Sequence, residues 1–270
     1  MKYIFLDIDG TLFDHDTFCI PESTRRAVEL ARQKGNKIFI STGRSCCMLH
    51  PVEDILFEGV IAASGAYVEV SDEIIYEENM GSEELEEIAD CCDRWNVAYI
   101  LEGKKGLYMN SAVTDYFSAA SSTDESVNEF FSQEMFHDIS AYKEEEDIIY
   151  KLTVYALEEE ELLKIKEQLP EKYHMVFGQA YENYPYGAEL TLAKNNKASG
   201  IRKVLEHFGG DMADTIAIGD SLNDLEMIRE CTVGIAMGNA DERLKPHADF
   251  VTEDIGNHGI YKAFEQFQLI

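Results

Sequence analysis

Two aspartates near the start of the chain, separated by one residue, are the side chains best suited to chemistry. Asp7 and Asp9 follow a short apolar stretch and precede Gly10, so the pattern predicts a strand that delivers two carboxylates to a glycine turn. A turn at Gly10 breaks the alternation of the strand and lets both carboxylates face one pocket. Such a pair requires a cation, and Mg2+ is the usual one beside phosphate. The pattern indicates phosphoryl-transfer chemistry, although Asp-Gly is also a common turn signal.

The length and charge of the chain restrict the classes of partner. Its 270 residues can bury a large core in one large domain or two smaller ones. The formal net charge of −29 at pH 7 argues against nucleic acid or an anionic membrane as a partner, because both would be repelled. A phosphate ester would therefore have to be attracted by local lysine or arginine, backbone NH groups and a metal ion.

Cysteine spacing and the absence of long apolar runs indicate the compartment. The six cysteines include no C-x-x-C pair and no zinc-like spacing with histidine, which favours reduced thiols. The apolar stretch before Asp7 is too short for a signal peptide, and no run is long enough to span a membrane. We therefore expect a cytoplasmic protein.

Strands and helices alternate at both ends of the chain. A helix is predicted over 21–34, and apolar strands over 37–40, 59–63 and 215–218. Strands that alternate with helices form a parallel sheet, whose ligands lie beyond the carboxyl ends of the strands. Asp7, Thr42, Gly65 and Asp220 all follow such strands.

The middle of the chain has a different pattern and predicts an inserted α+β domain over 81–187, with the core formed by 1–80 and 188–270. Ser82 is predicted to cap a helix that ends at 93, and a strong strand is predicted over 148–156. The strand at 190–192 is assigned to the core. The stretch 121–138 is left without an assignment. The insertion carries no dense set of catalytic groups, which suits a lid that selects substrate.

Four motifs in order along the chain carry a family resemblance. They are Asp7 and Asp9 with Gly10 and Thr11, then Thr42 with Gly43 and Arg44, then Lys197, and finally residues 219–224. The ordered set resembles the haloacid dehalogenase superfamily of phosphatases. The long insertion between Thr42 and Lys197, with the downstream stretch 236–240, is similar to the Cof-type branch, subfamily IIB. The resemblance implies a Rossmann-like, doubly wound parallel core with an inserted α+β cap of the C2B type.

The resemblance implies roles for three aspartates. Asp7 would be the nucleophile that attacks phosphorus, and also a metal ligand. Asp9 would protonate the leaving alcohol and then deprotonate the attacking water, while its backbone carbonyl binds the metal. Asp220 would supply the remaining protein carboxylate on Mg2+.

The phosphoryl group would be bound by Thr42, NH groups near Gly43 and Lys197. Asn223 would either contact the phosphoryl group as well or order the metal site. Ser41 could be confused with Thr42, and Lys194 is a weaker alternative to Lys197.

For two further polar residues, the sequence leaves two or more roles possible. Asp224 would anchor Lys197 or a metal-bound water, or would cap a helix. Arg44 either meets substrate or forms a structural ion pair.

The sequence therefore predicts a Mg2+-dependent phosphatase that hydrolyses small phosphate monoesters, such as sugar phosphates, through an aspartyl-phosphate. Two alternatives remain at this stage. A phosphohexomutase on the same scaffold would share Asp7 and Asp9 but return the phosphoryl group to a sugar. A non-enzymatic phosphate-sensing module would keep the fold without turnover.

Overall fold

A computed structural model describes residues 1–49, 52, 55–113, 115, 134–178 and 186–270. Most of the stretch 121–138, which the sequence left unassigned, lies outside these residues. Within the described part of the chain no helix is both long enough and apolar enough to cross a membrane. All six cysteines are free thiols.

The helices and strands are numbered in chain order. The first group comprises β1 (Tyr3–Leu6), α1 (Glu22–Gln33), β2 (Lys37–Ser41), β3 (Gly59–Ala62), β4 (Tyr67–Val70) and β5 (Glu73–Glu77). The second comprises α2 (Ser82–Arg94), β6 (Ala98–Gly103), β7 (Leu107–Met109), β8 (Phe136–Asp138), β9 (Ile149–Ala156), α3 (Glu159–Gln168), β10 (Tyr173–Gly178) and β11 (Tyr186–Leu192). The last comprises α4 (Lys197–Phe208), β12 (Thr215–Gly219), α5 (Leu225–Glu230), β13 (Val233–Ala236), β14 (Phe250–Val251) and α6 (Gly259–Gln266).

These elements form two units, each with its own sheet. The core unit consists of Met1–Arg44, Met48–Glu77 and Asn195–Ile270. The insertion unit consists of Ser45–Cys47 and Glu78–Lys194.

The sheet of the core unit has the strand order β14-β13-β12-β1-β2-β3-β4-β5. Its strands are parallel from β14 to β3, and β4 and β5 add an antiparallel hairpin at the edge. β1 lies in the interior, and Ile4, Phe5 and Leu6 are fully buried, as expected for a strand covered on both faces. Helix α1 packs against α6, and α4 packs against α5. The sheet and its helices confirm the predicted α/β fold with a parallel core.

The register of the central strands brings the predicted site residues together. Leu6, the last residue of β1, pairs with Ile40 of β2 on one side and with Ile218 of β12 on the other. The residues that follow these strands therefore emerge at the same edge of the sheet. This edge carries Asp7, Thr42 and Asp220, as the sequence predicted.

The turn after β1 requires glycine at position 10 for two separate reasons. Gly10 has a φ of +75°, which is the left-handed region that side chains other than glycine rarely adopt. A Cβ atom at this position would lie 2.4 Å from Oδ2 of Asp220. Gly10 thus lets Asp220 approach the backbone of the turn.

This double requirement predicts the effect of Gly10→Ala on stability. The left-handed backbone alone should lower the free energy of unfolding by about 1–2 kcal/mol. Displacing Asp220, which accepts a hydrogen bond from Thr11, should lower it by at least about 1 kcal/mol more. Urea unfolding followed by circular dichroism measures both effects.

Gly35 offers a matched control for this substitution. Its φ is +84°, and nothing lies within 4 Å of the Cβ that alanine would add. Gly35→Ala should therefore lose only the backbone contribution. Equal losses for Gly10→Ala and Gly35→Ala would show that the approach of Asp220 does not require glycine.

The insertion unit is built on a sheet of order β10-β11-β9-β6-β7-β8. Neighbouring strands are antiparallel except for the parallel pair β7 and β8. Helices α2 and α3 contribute Ile88 and Ile165 to an apolar cluster that also contains Leu152 and Val154 of β9. The cluster gives the insertion unit a core of its own.

Two details of this unit differ from the sequence predictions. The strand at 190–192, assigned to the core from sequence, belongs to β11, which pairs with β9 and β10. An apolar run predicts a strand but does not state which partner it pairs with. Helix α2 has Gly81 at its N-cap rather than Ser82, and the Glu84 side chain accepts a hydrogen bond from the NH of Gly81.

A buried ion cluster occupies the other face of the β9 strand. Nζ of Lys151 lies 3.4 Å from Glu102 and 3.3 Å from Glu189, and the Lys151 side chain is 4% exposed. Hydroxyls of Ser45 and Thr153 also donate to Glu102. Burial raises the pKa of the Glu102 carboxyl, and Lys151 opposes this rise only in part. Lys151 is therefore a buried cation that contacts both carboxylates.

Lys151→Met should destabilise the protein because it removes a buried cation that contacts two carboxylates. We expect the free energy of unfolding to fall by about 3–5 kcal/mol near neutral pH. Because the folded-state pKa of Glu102 lies above its unfolded value, the penalty grows as pH rises and should shrink toward about pH 5. Urea unfolding at both pH values measures this difference.

The exposed pair of Lys143 and Glu146 gives the matched control within the same unit. Lys143→Met should change the free energy of unfolding by less than about 1 kcal/mol. A similarly small change for Lys151→Met would contradict the compensating role of Lys151.

Candidate active site

A buried lysine joins two of the predicted aspartates. Nζ of Lys197 donates to Oδ1 of Asp7 at 2.6 Å and to Oδ1 of Asp224 at 2.5 Å, and the lysine side chain is fully buried. Burial alone would lower the pKa of the Lys197 ammonium, but Asp224 and Asp7 outweigh burial and raise it. Lys197 is therefore a cation held at the end of β1.

The start of helix α4 explains why Lys197 occupies this position. Oδ1 of Asn196 accepts a hydrogen bond from the NH of Ser199, and Oγ of Ser199 accepts one from the NH of Asn196. This reciprocal capping fixes the first turn of the helix. The alternative candidate Lys194 instead pairs with Glu78, and its side chain is 57% exposed. The structure thus places Lys197 beside Asp7, whereas Lys194 contacts Glu78 of its own unit.

Three carboxylates surround a position that suits a metal ion. One carboxylate oxygen from each of Asp7, Asp220 and Asp224 lies within 4.8 Å of the others. Burial raises the pKa of the Asp7 carboxyl to about 8, although Lys197 opposes the rise, and burial with repulsion from Asp7 raises the pKa of Asp220 well above its usual value. Oxygen donors of this kind fit a hard divalent cation, which would offset the repulsion.

Both carboxylate oxygens of Asp224 accept hydrogen bonds from neighbouring groups. Oδ1 binds Lys197, and Oδ2 accepts hydrogen bonds from the NH groups of Asp220 at 2.9 Å and Ser221 at 3.0 Å. It stands at the N-cap position of helix α5, but its side chain makes no capping bond there. The geometry shows Asp224 as an anchor for Lys197, and its contact with the NH of Ser221 also caps the short 3-10 turn at Leu222–Asp224.

Asp9 has partners different from those of Asp7. Arg44 donates from Nε to Oδ2 of Asp9 at 2.8 Å and from Nη2 to Oδ1 at 2.6 Å, and Nε2 of His15 lies 2.8 Å from Oδ1. Burial would raise the pKa of the Asp9 carboxyl, but Arg44 and His15 hold it well below its usual range. The two carboxylates therefore do not share one set of contacts, and metal binding by the Asp9 carbonyl stays a prediction.

The loop after β2 carries the predicted phosphate-binding residues Thr42 and Gly43, and both are buried. Oγ1 of Thr42 accepts a hydrogen bond from the NH of Arg44 at 3.1 Å, so its O–H can still donate to a ligand oxygen. Ser41 is also fully buried, and its Oγ has no hydrogen-bond partner within the described residues. The preference for Thr42 over Ser41 stays a prediction.

The loop after β12 holds Asn223 next to the aspartates. Oδ1 of Asn223 accepts a hydrogen bond from Oγ of Ser221 at 2.9 Å. This contact places Asn223 in the loop that also carries Asp220 and Asp224, and its predicted contact with a phosphoryl group stays a prediction.

Sequence reasoning did not assign three side chains that shape this site. Thr11 donates to Oδ1 of Asp220 at 2.8 Å, and Asn239 donates to the carbonyl of Gly10 at 2.8 Å while accepting from the NH of Ile255. Thr11 and Asn239 lie inside stretches that the sequence singled out, so their motif position was a usable signal. His15 showed no informative spacing and was not found.

Comparison of the chain with known proteins identifies its family. Residues 4–264 match the family model of haloacid dehalogenase-like hydrolases. The Bacillus subtilis (strain 168) protein named "Putative phosphatase YkrA" is 32% identical, covering 100% of this chain and 98% of the relative. The 5-amino-6-(5-phospho-D-ribitylamino)uracil phosphatase YcsE of the same strain is 26% identical over 100% of this chain and 96% of its own length.

Among solved structures, the HAD subclass IIB sugar phosphatase BT4131 superposes with a TM-score of 0.83. It is 30% identical, and the match covers 100% of both chains. The resemblance inferred from the motifs is thereby confirmed, together with the Rossmann-like core and inserted cap that it implies. This chain belongs to the haloacid dehalogenase-like hydrolases, in the branch of Cof-type phosphomonoesterases.

Proposed function

We propose that this protein is a Mg2+-dependent phosphatase that hydrolyses small phosphate monoesters, such as sugar phosphates or related phosphorylated polyols, through an aspartyl-phosphate. The observation that carries the proposal is the contact of buried Lys197 with both Asp7 and Asp224, beside Asp220. The substrate class is supported by two similar proteins, one a sugar phosphatase and the other a phosphatase of a phosphoribitylamino compound.

The metal site uses oxygen donors of the core unit. Mg2+ would be held by the side chains of Asp7 and Asp220 and by the backbone carbonyl of Asp9. Asp224 instead binds Lys197. Mg2+ would neutralise charge on the phosphoryl oxygens and orient the ester toward the nucleophile. Thr11 keeps the Asp220 carboxylate in position for this role.

Asp7 attacks the phosphorus atom. One of its oxygens forms the new bond to phosphorus as the bond to the leaving oxygen breaks, which yields an aspartyl-phosphate and an alcohol. The Lys197 ammonium lies 2.6 Å from Asp7 and would offset the charge on the phosphoryl oxygens. The hydroxyl of Thr42, NH groups near Gly43 and the Asn223 side chain would bind the same oxygens.

Asp9 would act as the general acid in the first half-reaction and as the general base in the second. It gives a proton to the leaving oxygen in the first step and removes one from the attacking water in the second. Hydrolysis of the aspartyl-phosphate then releases phosphate and restores Asp7.

We assign substrate selection to the insertion unit, within the predicted cap at 81–187. Every residue proposed here for the chemistry lies in the core unit, so the insertion is free to differ between relatives without loss of the reaction. The net charge of −29 disfavours nucleic acid and anionic membranes as partners, which leaves small phosphorylated metabolites.

Asp7→Asn should remove turnover while the protein still folds, because it removes the nucleophile and a metal charge together. We expect the Mg2+-dependent release of p-nitrophenol from p-nitrophenyl phosphate to fall below about 1% of wild type. Asp214→Asn, which changes an exposed aspartate paired with Lys2, is the control and should keep full activity.

Substantial activity in Asp7→Asn would contradict the assigned nucleophile. A hexose monophosphate assayed with the wild type tests the product: free phosphate supports the proposal, whereas an isomer formed without phosphate would replace hydrolysis by mutase chemistry. No turnover of any ester by wild type would contradict an enzymatic role.

Asp220→Asn should weaken metal binding more than it affects the fold. The Mg2+ concentration that gives half-maximal activity should rise by at least about tenfold, because a charged ligand is lost. Asp241→Asn is the matched control: its NH donates to the carbonyl of Asp220, but its carboxylate binds Arg243. An unchanged Mg2+ requirement in Asp220→Asn would remove Asp220 from the metal site.

A further inference from the structure

The carboxylate of Asp9 is held by two side chains from different parts of the chain. Arg44 binds both oxygens, with Nε on Oδ2 and Nη2 on Oδ1, and Nε2 of His15 lies 2.8 Å from Oδ1. A two-bond contact between guanidinium and carboxylate fixes the plane of the carboxylate as well as its charge. Asp9 is therefore oriented before any substrate is present.

The guanidinium of Arg44 is itself fixed. Nη1 donates to the carbonyl of Met48 at 2.9 Å, and the guanidinium carbon lies 5.8 Å from the centre of the Phe13 ring. The Arg44 side chain is 17% exposed. It therefore differs from a surface arginine that forms an exposed ion pair.

The backbone of Arg44 is held by an unusual turn after β3. Ala63, Ser64 and Gly65 have φ values of 48°, 53° and 92°, so two residues with side chains adopt the left-handed region in succession. This turn directs the NH of Ala63 to the carbonyl of Arg44 at 2.7 Å and the NH of Ser64 to the carbonyl of Thr42 at 3.0 Å. Unfavourable backbone conformations of this kind persist where the surrounding structure requires them, commonly at functional sites.

The same turn packs against the start of the helix that carries Lys197. A Cβ atom on Gly65 would lie 2.2 Å from the carbonyl oxygen of Asn196. The turn therefore contacts both the loop of Arg44 and the helix start of Lys197. Because Arg44 binds Asp9 and Lys197 binds Asp7, the turn supports the side chains that hold both aspartates.

We propose that Arg44, assisted by His15, is the positioning residue of Asp9 and leaves Oδ2 as the oxygen that exchanges a proton with the leaving group. Within the described residues Oδ1 has two partners and Oδ2 has one, so Oδ2 keeps the freer lone pair. This inference rests on the proposed function of Asp9 as acid and base. The Arg44 contact also stabilises the ionised carboxylate, so the test below asks whether the lost orientation of Asp9, and not its altered proton affinity, governs the rate. It also decides between the two roles left open for Arg44: the arginine forms an ion pair, and the pair serves the reaction.

The test compares two aryl esters of similar size. Phenyl phosphate releases a more basic leaving group than p-nitrophenyl phosphate and therefore depends more on protonation by Asp9. Arg44→Gln should lower kcat/KM for phenyl phosphate at least about tenfold more than for p-nitrophenyl phosphate. Arg44→Lys should show the same selective loss, because an ammonium supplies charge without the two-bond contact.

His15 and Arg32 complete the experiment. His15 is 57% exposed, so His15→Ala should fold and should show a smaller loss with the same selectivity, which keeps the test decisive if Arg44→Gln does not fold. Arg32 also donates from Nε and Nη2 to a carboxylate, that of Glu58, which has no role in the proposed reaction. Arg32→Gln should leave the ratio of the two kcat/KM values unchanged.

Equal losses on both esters in Arg44→Gln, or a wild-type ratio in Arg44→Lys, would overturn the positioning role. If Arg44→Gln does not fold, an unchanged ratio in His15→Ala would overturn it. These outcomes differ from a failure of the proposed function, in which the wild-type protein itself would release no phosphate from either ester with Mg2+.

Discussion

The buried ammonium of Lys197 is the charge on which the arrangement of the site depends. It contacts Asp7 and Asp224 and is fully buried, so both carboxylates remain in the interior only with its compensation. Asp220 adds a third carboxylate that this single cation does not neutralise, and burial raises the pKa of both Asp220 and Asp7. The site is thus short of positive charge by an amount that a divalent cation supplies. In the function proposed above, that divalent cation and Lys197 would offset the repulsion between a strongly acidic protein and a phosphate ester.

The geometry of the backbone decides which side chains lie close together at this edge of the sheet. Parallel pairing of β1 with β2 and β12 places three loops side by side. Two left-handed turns then set the distances within the site: Gly10 admits Asp220, and the turn at 63–65 holds the loop of Arg44. Asn239 fixes the carbonyl of Gly10 from a distant part of the chain. Small changes in these turns would therefore act on the chemistry without touching a reacting group.

The insertion unit is stabilised by a sheet and an apolar core of its own. Its antiparallel strands bury an apolar cluster on one face and the ion cluster of Lys151 with Glu102 and Glu189 on the other. A buried cluster of this kind is weak support for stability, because removing charges from water opposes the attraction between them. In the proposed function the core unit holds the reacting groups, which leaves the insertion to select among phosphate esters.

The amino-acid sequence by itself determined the α/β alternation, the strand ends that carry Asp7, Thr42 and Asp220, and the family, because local apolar periodicity and motif order need no knowledge of packing. It did not determine that 190–192 pairs in the second sheet, or that β14 forms. Only the tertiary structure chose Lys197 over Lys194, showed Asp224 as its anchor, and joined Arg44 and His15 to Asp9. Lys197 and Asp7 are 190 residues apart, and Arg44 and Asp9 are 35 apart. Contacts over such separations follow from strand register and turn geometry, which local patterns do not encode.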